Sequence, residues 1–341
     1  MHCHILVHGL SWRQGDPREV CDGLAPAALE TLLARGRRVP APAQLPQQWL
    51  MERYGVERRR DWPAAPYSLL GDGGVPGTDA WMCADPVHLR IERNQLVLAD
   101  SSAFRVGQEE AEALAEAINA HLGDRLAVHP LRPQRWYARL AECPDVETTP
   151  LCAARGRVID TLLPRGPESM AWHALANELQ MLLHTHPVNA AREERGELPI
   201  NGVWLWGAGR QAALGSRPFQ LVASDDPLAR GLAMASGASA RELPSDAQAW
   251  LADTGATGVT LVVLDALARA ADYGDALAWR ESLMAMERAW FAPLLRALSA
   301  GRIGMLSLHL TDEARGIAIE AARADLRHFW RRRKPIVDWL R

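Results

Sequence analysis

Trp172–Arg210 reads WHALANELQMLLHTHPVNAAREERGELPINGVWLWGAGR, with no low-complexity break. Apolar residues at helical spacing predict a helix from about 171 to 185, and the apolar run Val203–Trp206 predicts a buried strand. A helix followed by a buried strand is the repeating unit of α/β proteins. We therefore assign this stretch to an α/β core.

The rest of the chain beyond Gly202 continues that alternation. Short apolar runs separated by helical segments indicate parallel strands covered on both faces, a doubly wound and mainly parallel sheet. The predicted strands are Val203–Trp206, Phe219–Ala223, Val259–Leu264 and Ile303–Leu308. The predicted helices are Pro227–Ala235, Ala276–Leu298 and Ile317–Phe329.

The N-terminal run HCHILVHGL predicts a further strand of this core, and alternation places His2, His4 and His8 on one of its faces. Three imidazoles on one face could bind a metal, or they could be ordinary histidines of an edge strand.

Residues 81–170 differ from the core, because their predicted strands and helix are segregated rather than alternating. The strands are Val87–Ile91, Gln95–Ala99 and a run beginning at Arg135, and the helix is Gln108–Leu122. We predict a small inserted α+β subdomain at 81–170. Residues 1–80 and 171–341 would then form the two parts of the core.

Composition limits the function. The 341 residues carry a net charge of −3 with 48% hydrophobic residues, which favours neither nucleic-acid nor membrane partners. No apolar run approaches the roughly 18 residues of a membrane span and no leader pattern is evident, so we expect a cytoplasmic protein. The five scattered cysteines are expected to be reduced thiols. Lys334 is the sole lysine, which argues against Schiff-base and P-loop chemistry.

Several polar residues in Trp172–Arg210 are candidate ligand contacts. The helix carries a polar stripe ending at His184, which is either a solvated face or the wall of a site. The turn at Pro187 could project His186, Asn189 and Arg192 together. Arg192 could bind a phosphate or carboxylate through two hydrogen bonds, or pair with the neighbouring Glu193 or Glu194.

The end of the stretch adds three further candidates. Asn201 precedes the strand and suits tying a loop through side-chain hydrogen bonds to backbone. Gly207 and Gly209 form a strand-end turn at which backbone could approach a ligand closely.

These residues resemble a segment of the archaeal-type, cofactor-independent phosphoglycerate mutases of the alkaline phosphatase superfamily. The resemblance is carried by His186-Pro-Val-Asn189, Arg192, Gly196, Pro199, Asn201 and Trp204-Leu-Trp-Gly207-Ala-Gly209. It is still closer to bacterial RpfE-type regulatory proteins, also described as phosphoglycerate-mutase-like. It implies an alkaline-phosphatase-like core with an inserted subdomain, two divalent metals and a serine nucleophile.

The chain departs from that pattern where the chemistry is carried. His8-Gly9 stands where Asp-Gly is expected, and Asp312-Glu313 where Asp-His is expected. Asp272 and Arg280 replace the His and Lys that follow Asp265 in the family. Thr78 is the one weak candidate for a nucleophile, and Asp265 and Asp312 are candidate remnants of metal ligands.

We therefore expect a non-catalytic relative in a regulatory role, binding a small anionic or phosphorylated ligand or a protein partner, with no cofactor. The first alternative is an active phosphomutase or phosphatase that requires Mn²⁺ or Mg²⁺. The second is a purely structural interaction protein. The cationic run Arg331–Lys334 after His328-Phe-Trp330 is either a solvated helix end or a patch for an anionic ligand or partner.

Overall fold

The computed structural model describes residues 1–253 and 258–340. Its strands are β1 (His2–His8), β2 (Arg37–Val39), β3 (Ala80–Glu92), β4 (Gln95–Asp100), β5 (Leu126–Arg132), β6 (Arg135–Leu140), β7 (Gly202–Arg210), β8 (Leu221–Ala223), β9 (Ser239–Arg241), β10 (Val259–Leu264), β11 (Met305–Thr311) and β12 (Gly316–Ala322).

The helices of the same residues are α1 (Pro17–Cys21), α2 (Ala27–Arg35), α3 (Pro46–Arg53), α4 (Ala64–Gly71), α5 (Gln108–Leu122), α6 (Leu151–Ala154), α7 (Ser169–His184), α8 (Pro187–Glu194), α9 (Pro227–Ala235), α10 (Ala247–Asp253), α11 (Ala268–Tyr273), α12 (Ala276–Met286), α13 (Ala292–Ser299) and α14 (Val337–Leu340). None of the helices in the described ranges has both the length and the apolar character needed to cross a membrane.

The chain forms two compact units. The first combines Met1–Tyr54 with Ser216–Arg341, and the second is Gly55–Gly215. The segment predicted as an inserted subdomain, 81–170, lies within the second unit, which begins earlier and ends later. Trp172–Arg210, which we assigned to the core, also belongs to the second unit.

The first unit is built on a sheet with the order β2-β12-β11-β1-β10-β8-β9. β1 pairs in parallel with both β10 and β11, and β10 pairs in parallel with β8. β12 is antiparallel to its neighbours β11 and β2. The strands β1 and β10 are buried along nearly their whole length, as expected for a sheet covered on both faces. The predicted α/β fold with a mainly parallel sheet is confirmed.

Two predictions for this sheet are wrong. β1 lies between β10 and β11, so its histidines are not on an edge strand. The helix predicted over Ile317–Phe329 is instead β12 followed by a short 3-10 turn at Asp325–Arg327. The residues of β12 alternate, with Ile319 and Ala321 buried in the core, so the period-2 pattern of a strand outweighed the local helical propensity.

The long helix predicted over Ala276–Leu298 is interrupted by a π-helical turn at Glu287–Phe291. The buried Glu287 carboxylate accepts backbone hydrogen bonds from Ala28 at 2.6 Å and Leu29 at 3.1 Å. These donors belong to the first turn of α2, whose amides have no partner within the helix. The wider turn therefore serves to place an acid against a helix N-terminus.

The second unit has a five-stranded antiparallel sheet in which the long strand β3 pairs with β4, β6 and β7. Helices α5 and α7 cover one face, where Leu114, Ile118, Leu175 and Leu179 are buried with Trp136. The prediction that Val203–Trp206 is a parallel strand of the core is wrong, because β7 is antiparallel to β3. An apolar run alone does not indicate which sheet a strand joins.

Candidate functional site

Arg192 is buried, with 1% of its surface exposed, and its guanidinium is held by protein groups. Nε donates to Leu198 O at 2.8 Å and Nη2 to Arg105 O at 2.8 Å. Nη1 lies 2.5 Å from Glu110 Oε2. The structural partner of Arg192 is thus Glu110 on α5, and its contacts fasten α8 and the loop after it to α5.

The other polar residues of the motif also make structural contacts. The buried Asn189 amide donates to Leu183 O and Ile200 O and accepts from Ile200 N at 2.7 Å. Asn201 exchanges two hydrogen bonds with the backbone of Leu89 on β3, as a paired strand residue would. Asn201 therefore ties a loop, as predicted.

The two histidines of the motif lie apart from this network. His186 caps α8 by accepting a hydrogen bond from Val188 N at Nδ1, and burial lowers its pKa. His184 is exposed at the end of α7. The polar stripe of α7 therefore ends at solvent.

Gly207 and Gly209 lie inside β7 and do not form a strand-end turn. The register between β3 and β7 shifts opposite them, between Trp81 and Cys83, which marks a β-bulge. Gly207 has φ +70°, and a Cβ at Gly209 would come within 2.3 Å of Pro63 Cβ. Both glycines therefore allow the start of α4 to pack directly on the strand.

Gly209 and Arg210 also line a cavity of about 450 Å³ within the second unit. Arg59, Asp61, Tyr67 and Cys143 are among its other wall residues. Burial raises the pKa of Asp61 to about 6, although its hydrogen bonds from Thr148 and Trp62 oppose that shift. Of the predicted ligand contacts, Gly209 is the one that lines this cavity.

The candidate remnants of metal ligands lie in the first unit. Asp265 follows β10 and is exposed, and Asp312 follows β11 and is buried. Parallel strands β1, β10 and β11 end at one edge of the sheet, where α/β proteins bind ligands. Thr78, the weak nucleophile candidate, belongs to the second unit; it is exposed and its backbone carbonyl accepts a hydrogen bond from Arg210.

An arginine that we did not predict occupies the acidic cluster at this edge. Arg13 Nη2 lies 3.1 Å from Asp312 Oδ2, and Nη1 lies 3.5 Å from Glu313 Oε2. Burial alone would lower the pKa of Arg13, but Asp312, Glu313 and Asp272 outweigh it and raise that pKa. Arg13 lies in the loop after β1, and nothing in its sequence context marks it as a partner of Asp312.

These residues do not fit a two-metal centre. His8 replaces an expected acid and is buried at the end of β1, while Arg13 supplies positive charge among the remaining carboxylates. Within residues 1–253 and 258–340, no three His, Cys, Asp or Glu side chains are grouped so that they could hold a metal ion.

The half-buried His2 and His4 of β1 form a separate cluster with the buried His309 of β11. His4 Nδ1 lies 2.9 Å from His309 Nε2 on β11, and His2 Nε2 lies 2.8 Å from Ser307 Oγ. Burial lowers the pKa of both His4 and His309 to about 3. The imidazoles of His4 and His309 are therefore neutral at physiological pH and hydrogen-bond to each other.

Sequence comparison relates part of the chain to known enzymes. A stretch of 115 residues is 34% identical to the 2,3-bisphosphoglycerate-independent phosphoglycerate mutase of Methanosarcina barkeri, covering 33% of this chain and 29% of that enzyme. A stretch of 161 residues is 32% identical to the probable enzyme of the same name from Geobacter sulfurreducens, covering 44% of this chain and 40% of the relative. The chain thus matches well under half the length of these curated relatives.

Comparison of structures supports the fold. The PH0037 protein from Pyrococcus horikoshii aligns with a TM-score of 0.54 and 13% identity, over 94% of this chain and 87% of that one. No model of a protein family matches the chain. Its mixed α/β architecture is consistent with an alkaline-phosphatase-like fold, and part of its sequence is homologous to the cofactor-independent phosphoglycerate mutases.

Proposed function

We propose that this protein is a non-catalytic relative of the phosphoglycerate mutases that binds a small anionic ligand in a regulatory role. The observation that carries the proposal is the position of Arg13, paired with Asp312 and next to Glu313 at the strand ends. An internal cation there neutralises carboxylates that a metal centre would need as ligands.

Coulomb repulsion from Arg13 would oppose the binding of a metal ion at Asp312. Two like unit charges about 4 Å apart repel by about 4 kcal/mol at an effective dielectric constant of about 20. A divalent ion at Asp312 would face about twice that repulsion from Arg13, because it carries two charges, and would also compete with Arg13 for the carboxylate. Binding of a metal ion to Asp312 would therefore require the ion pair between Arg13 and Asp312 to break.

The anion-binding part of the proposal rests on the cavity of the second unit. Arg59 and Arg210 lie on its wall with Gly209, and the acids Glu57, Asp61 and Asp145 lie on the same wall. A guanidinium group matches the oxygens of a carboxylate or phosphate through two parallel hydrogen bonds. A protein that binds such a metabolite without converting it can respond to the concentration of that metabolite. This property fits a regulatory role like that of the RpfE-type proteins.

The experiment combines an activity assay with a binding assay on the purified protein. With Mn²⁺ and 3-phosphoglycerate we expect no turnover, together with a rise in melting temperature on adding 3-phosphoglycerate or inorganic phosphate. Arg59→Ala should reduce that rise, while Arg18→Ala, an exposed arginine of the first unit, should not. Turnover that is lost in Asp312→Asn would overturn the proposal and favour the active phosphotransferase.

A protein partner is the second candidate, because the C-terminal segment exposes aromatic rings beside positive charge. Phe329 is 77% and Trp330 64% exposed, directly before Arg331–Lys334. Such a surface suits an acidic protein. If phosphate and 3-phosphoglycerate leave the melting temperature unchanged, a pull-down that is lost in Trp330→Ala would support this candidate.

A further inference from the structure

A second cavity, of about 240 Å³, lies within the first unit, apart from the cavity of the proposed function. Its walls come from α3, from the loop between β2 and α3, and from the ends of β11 and β12. The wall combines the ring of Trp49 with the polar side chains of Gln44, Arg53 and Thr311. The cavity is open to solvent on one side, and a concave site that combines apolar surface with a few polar groups is typical of a small-molecule pocket.

Two residues of this wall each carry a buried side-chain oxygen that lacks a hydrogen-bond partner. Gln44 is 6% exposed and Thr311 is 5% exposed. Within the part of the chain that the structure describes, Gln44 Oε1 and Thr311 Oγ1 are buried without a partner. Leaving such atoms unpaired costs stability, so their retention beside a cavity calls for an explanation. A ligand that donates hydrogen bonds to both oxygens supplies one.

Arg53 supplies the charge for recognising an anionic group. Its guanidinium lies 5.0 Å from the centroid of the Trp49 ring, and this contact holds the flexible side chain over the cavity wall. Glu52 lies on the same wall and brings a negative charge close to it. A ligand with one negative charge is therefore better matched than a phosphate dianion, which Glu52 would repel.

We propose that this cavity binds a small monocarboxylate that carries hydroxyl groups. The carboxylate pairs with Arg53, and the hydroxyls donate to Gln44 Oε1 and Thr311 Oγ1 once these two side chains turn toward the cavity. The aliphatic part of the ligand packs against Trp49. This site is independent of the arginine-lined cavity of the second unit, since all of its wall residues belong to the first.

The test is isothermal titration calorimetry on the full chain. D-Glycerate and D-gluconate are the probes, with inorganic phosphate and 3-phosphoglycerate as comparisons. We expect saturable binding of at least one hydroxy acid, at least tenfold weaker in Arg53→Met, which keeps the aliphatic contact with Trp49. Thr311→Val, which keeps the shape of the side chain, should also weaken binding at least threefold. Arg18→Met serves as the control for loss of an arginine and should bind like the unaltered protein.

A second readout separates a binding role from a structural one. Thr311→Val removes a buried hydroxyl that has no partner, so its melting temperature without ligand should be equal to or above that of the unaltered protein. A clear fall would show that the hydroxyl stabilises the fold, and would overturn the proposal. So would the absence of saturable hydroxy-acid binding, or unchanged binding in Arg53→Met. Tighter binding of phosphate or 3-phosphoglycerate than of the hydroxy acids, weakened in Arg53→Met, would overturn the monocarboxylate assignment while leaving the proposed function intact.

Discussion

Among single residues, Arg192 and Arg13 differ in how clearly the sequence marks them and in what they contact. Arg192 belongs to the stretch that resembles the mutases, yet its guanidinium is engaged by Glu110 and two backbone carbonyls. Arg13 lies in an unremarkable loop, yet it pairs with a carboxylate at the strand ends. A motif of conspicuous residues can therefore hold a fold together, while an ion pair at the strand ends is formed by a residue that no motif marks.

The structural role of Arg192 leads to a stability prediction. Arg192→Met leaves Glu110 without its buried partner and two carbonyls without a donor, so we expect a loss of about 3 kcal/mol in the free energy of unfolding. Urea denaturation measures it. Arg195→Met is the matched control, because Arg195 pairs with the same Glu110 from a solvent-exposed position, and its loss should cost clearly less stability than the loss of Arg192. Equal losses in the two variants would contradict this role.

The buried Asp85 should make the free energy of unfolding depend on pH. Burial raises its pKa in the folded second unit to about 7, against about 3.9 in an unfolded chain. Between these values the folded state binds more protons, so the contribution of Asp85 to stability falls as pH rises from about 4 to about 7. Asp85→Asn should remove this contribution.

The measurement compares the unfolding free energies of Asp85→Asn and the unaltered protein from pH 5 to pH 8. The variant should gain relative stability as pH rises, with a slope of at most about 1.4 kcal/mol per pH unit. A constant difference would show that Asp85 does not titrate in this range. Because Trp206 Nε1 donates to Asp85 Oδ2 at 2.6 Å, the asparagine oxygen can accept the same hydrogen bond.

At the scale of elements, the β-bulge in β7 explains the Gly-x-Gly pair without a ligand. A Cβ at Gly209 would meet the Pro63 backbone within 2.9 Å, so Gly209→Ala must move α4 or the strand. We expect a loss of about 2 kcal/mol, as for other overpacked sites, measured by urea denaturation. Gly107→Ala is the control, since its Cβ would make only ordinary contacts, and it should cost less than about 1 kcal/mol. A Gly209→Ala variant of unaltered stability would contradict the packing role.

Helices and strands with a clear local sequence signal could be predicted from the sequence. The elements that they pair with in the folded chain could not. Val259–Leu264, Pro227–Ala235 and Gln108–Leu122 have the predicted bounds, because a buried strand, a proline-capped helix and an acidic first turn each leave a strong local signal. The partner of β7 depends on contacts distant in sequence, as does the ion pair of Arg13 with Asp312. Neither leaves a local pattern, so the sheet of β7 was predicted wrongly and Arg13 was missed.

At the scale of the whole molecule, the second unit has the features of an insertion that folds by itself. Its ends meet, since a Cβ at Gly55 would lie 3.1 Å from Gly215 Cα. In the first unit, Ser216 N donates to Tyr54 O at 3.0 Å, so the flanking residues are also paired. The unit has its own buried core around Trp136.

We therefore expect a fragment of residues 55–215 to be monomeric and to unfold cooperatively in urea. Circular dichroism and fluorescence should give coincident transitions. A fragment that lacks a cooperative transition would show that this unit depends on the rest of the chain. The same fragment with Arg192→Met should lose as much stability as the full chain does.

In the proposed function, Arg13 takes the place of a metal ion at the strand ends. Titration of Mn²⁺ into the unaltered protein, with heat or paramagnetic signal as readout, tests this substitution. We predict no stoichiometric binding at 1 mM Mn²⁺, and binding at least tenfold stronger in Arg13→Ala than in the unaltered protein, because the carboxylate of Asp312 is released. Stoichiometric Mn²⁺ binding by the unaltered protein that is lost in Asp312→Asn would contradict the claim.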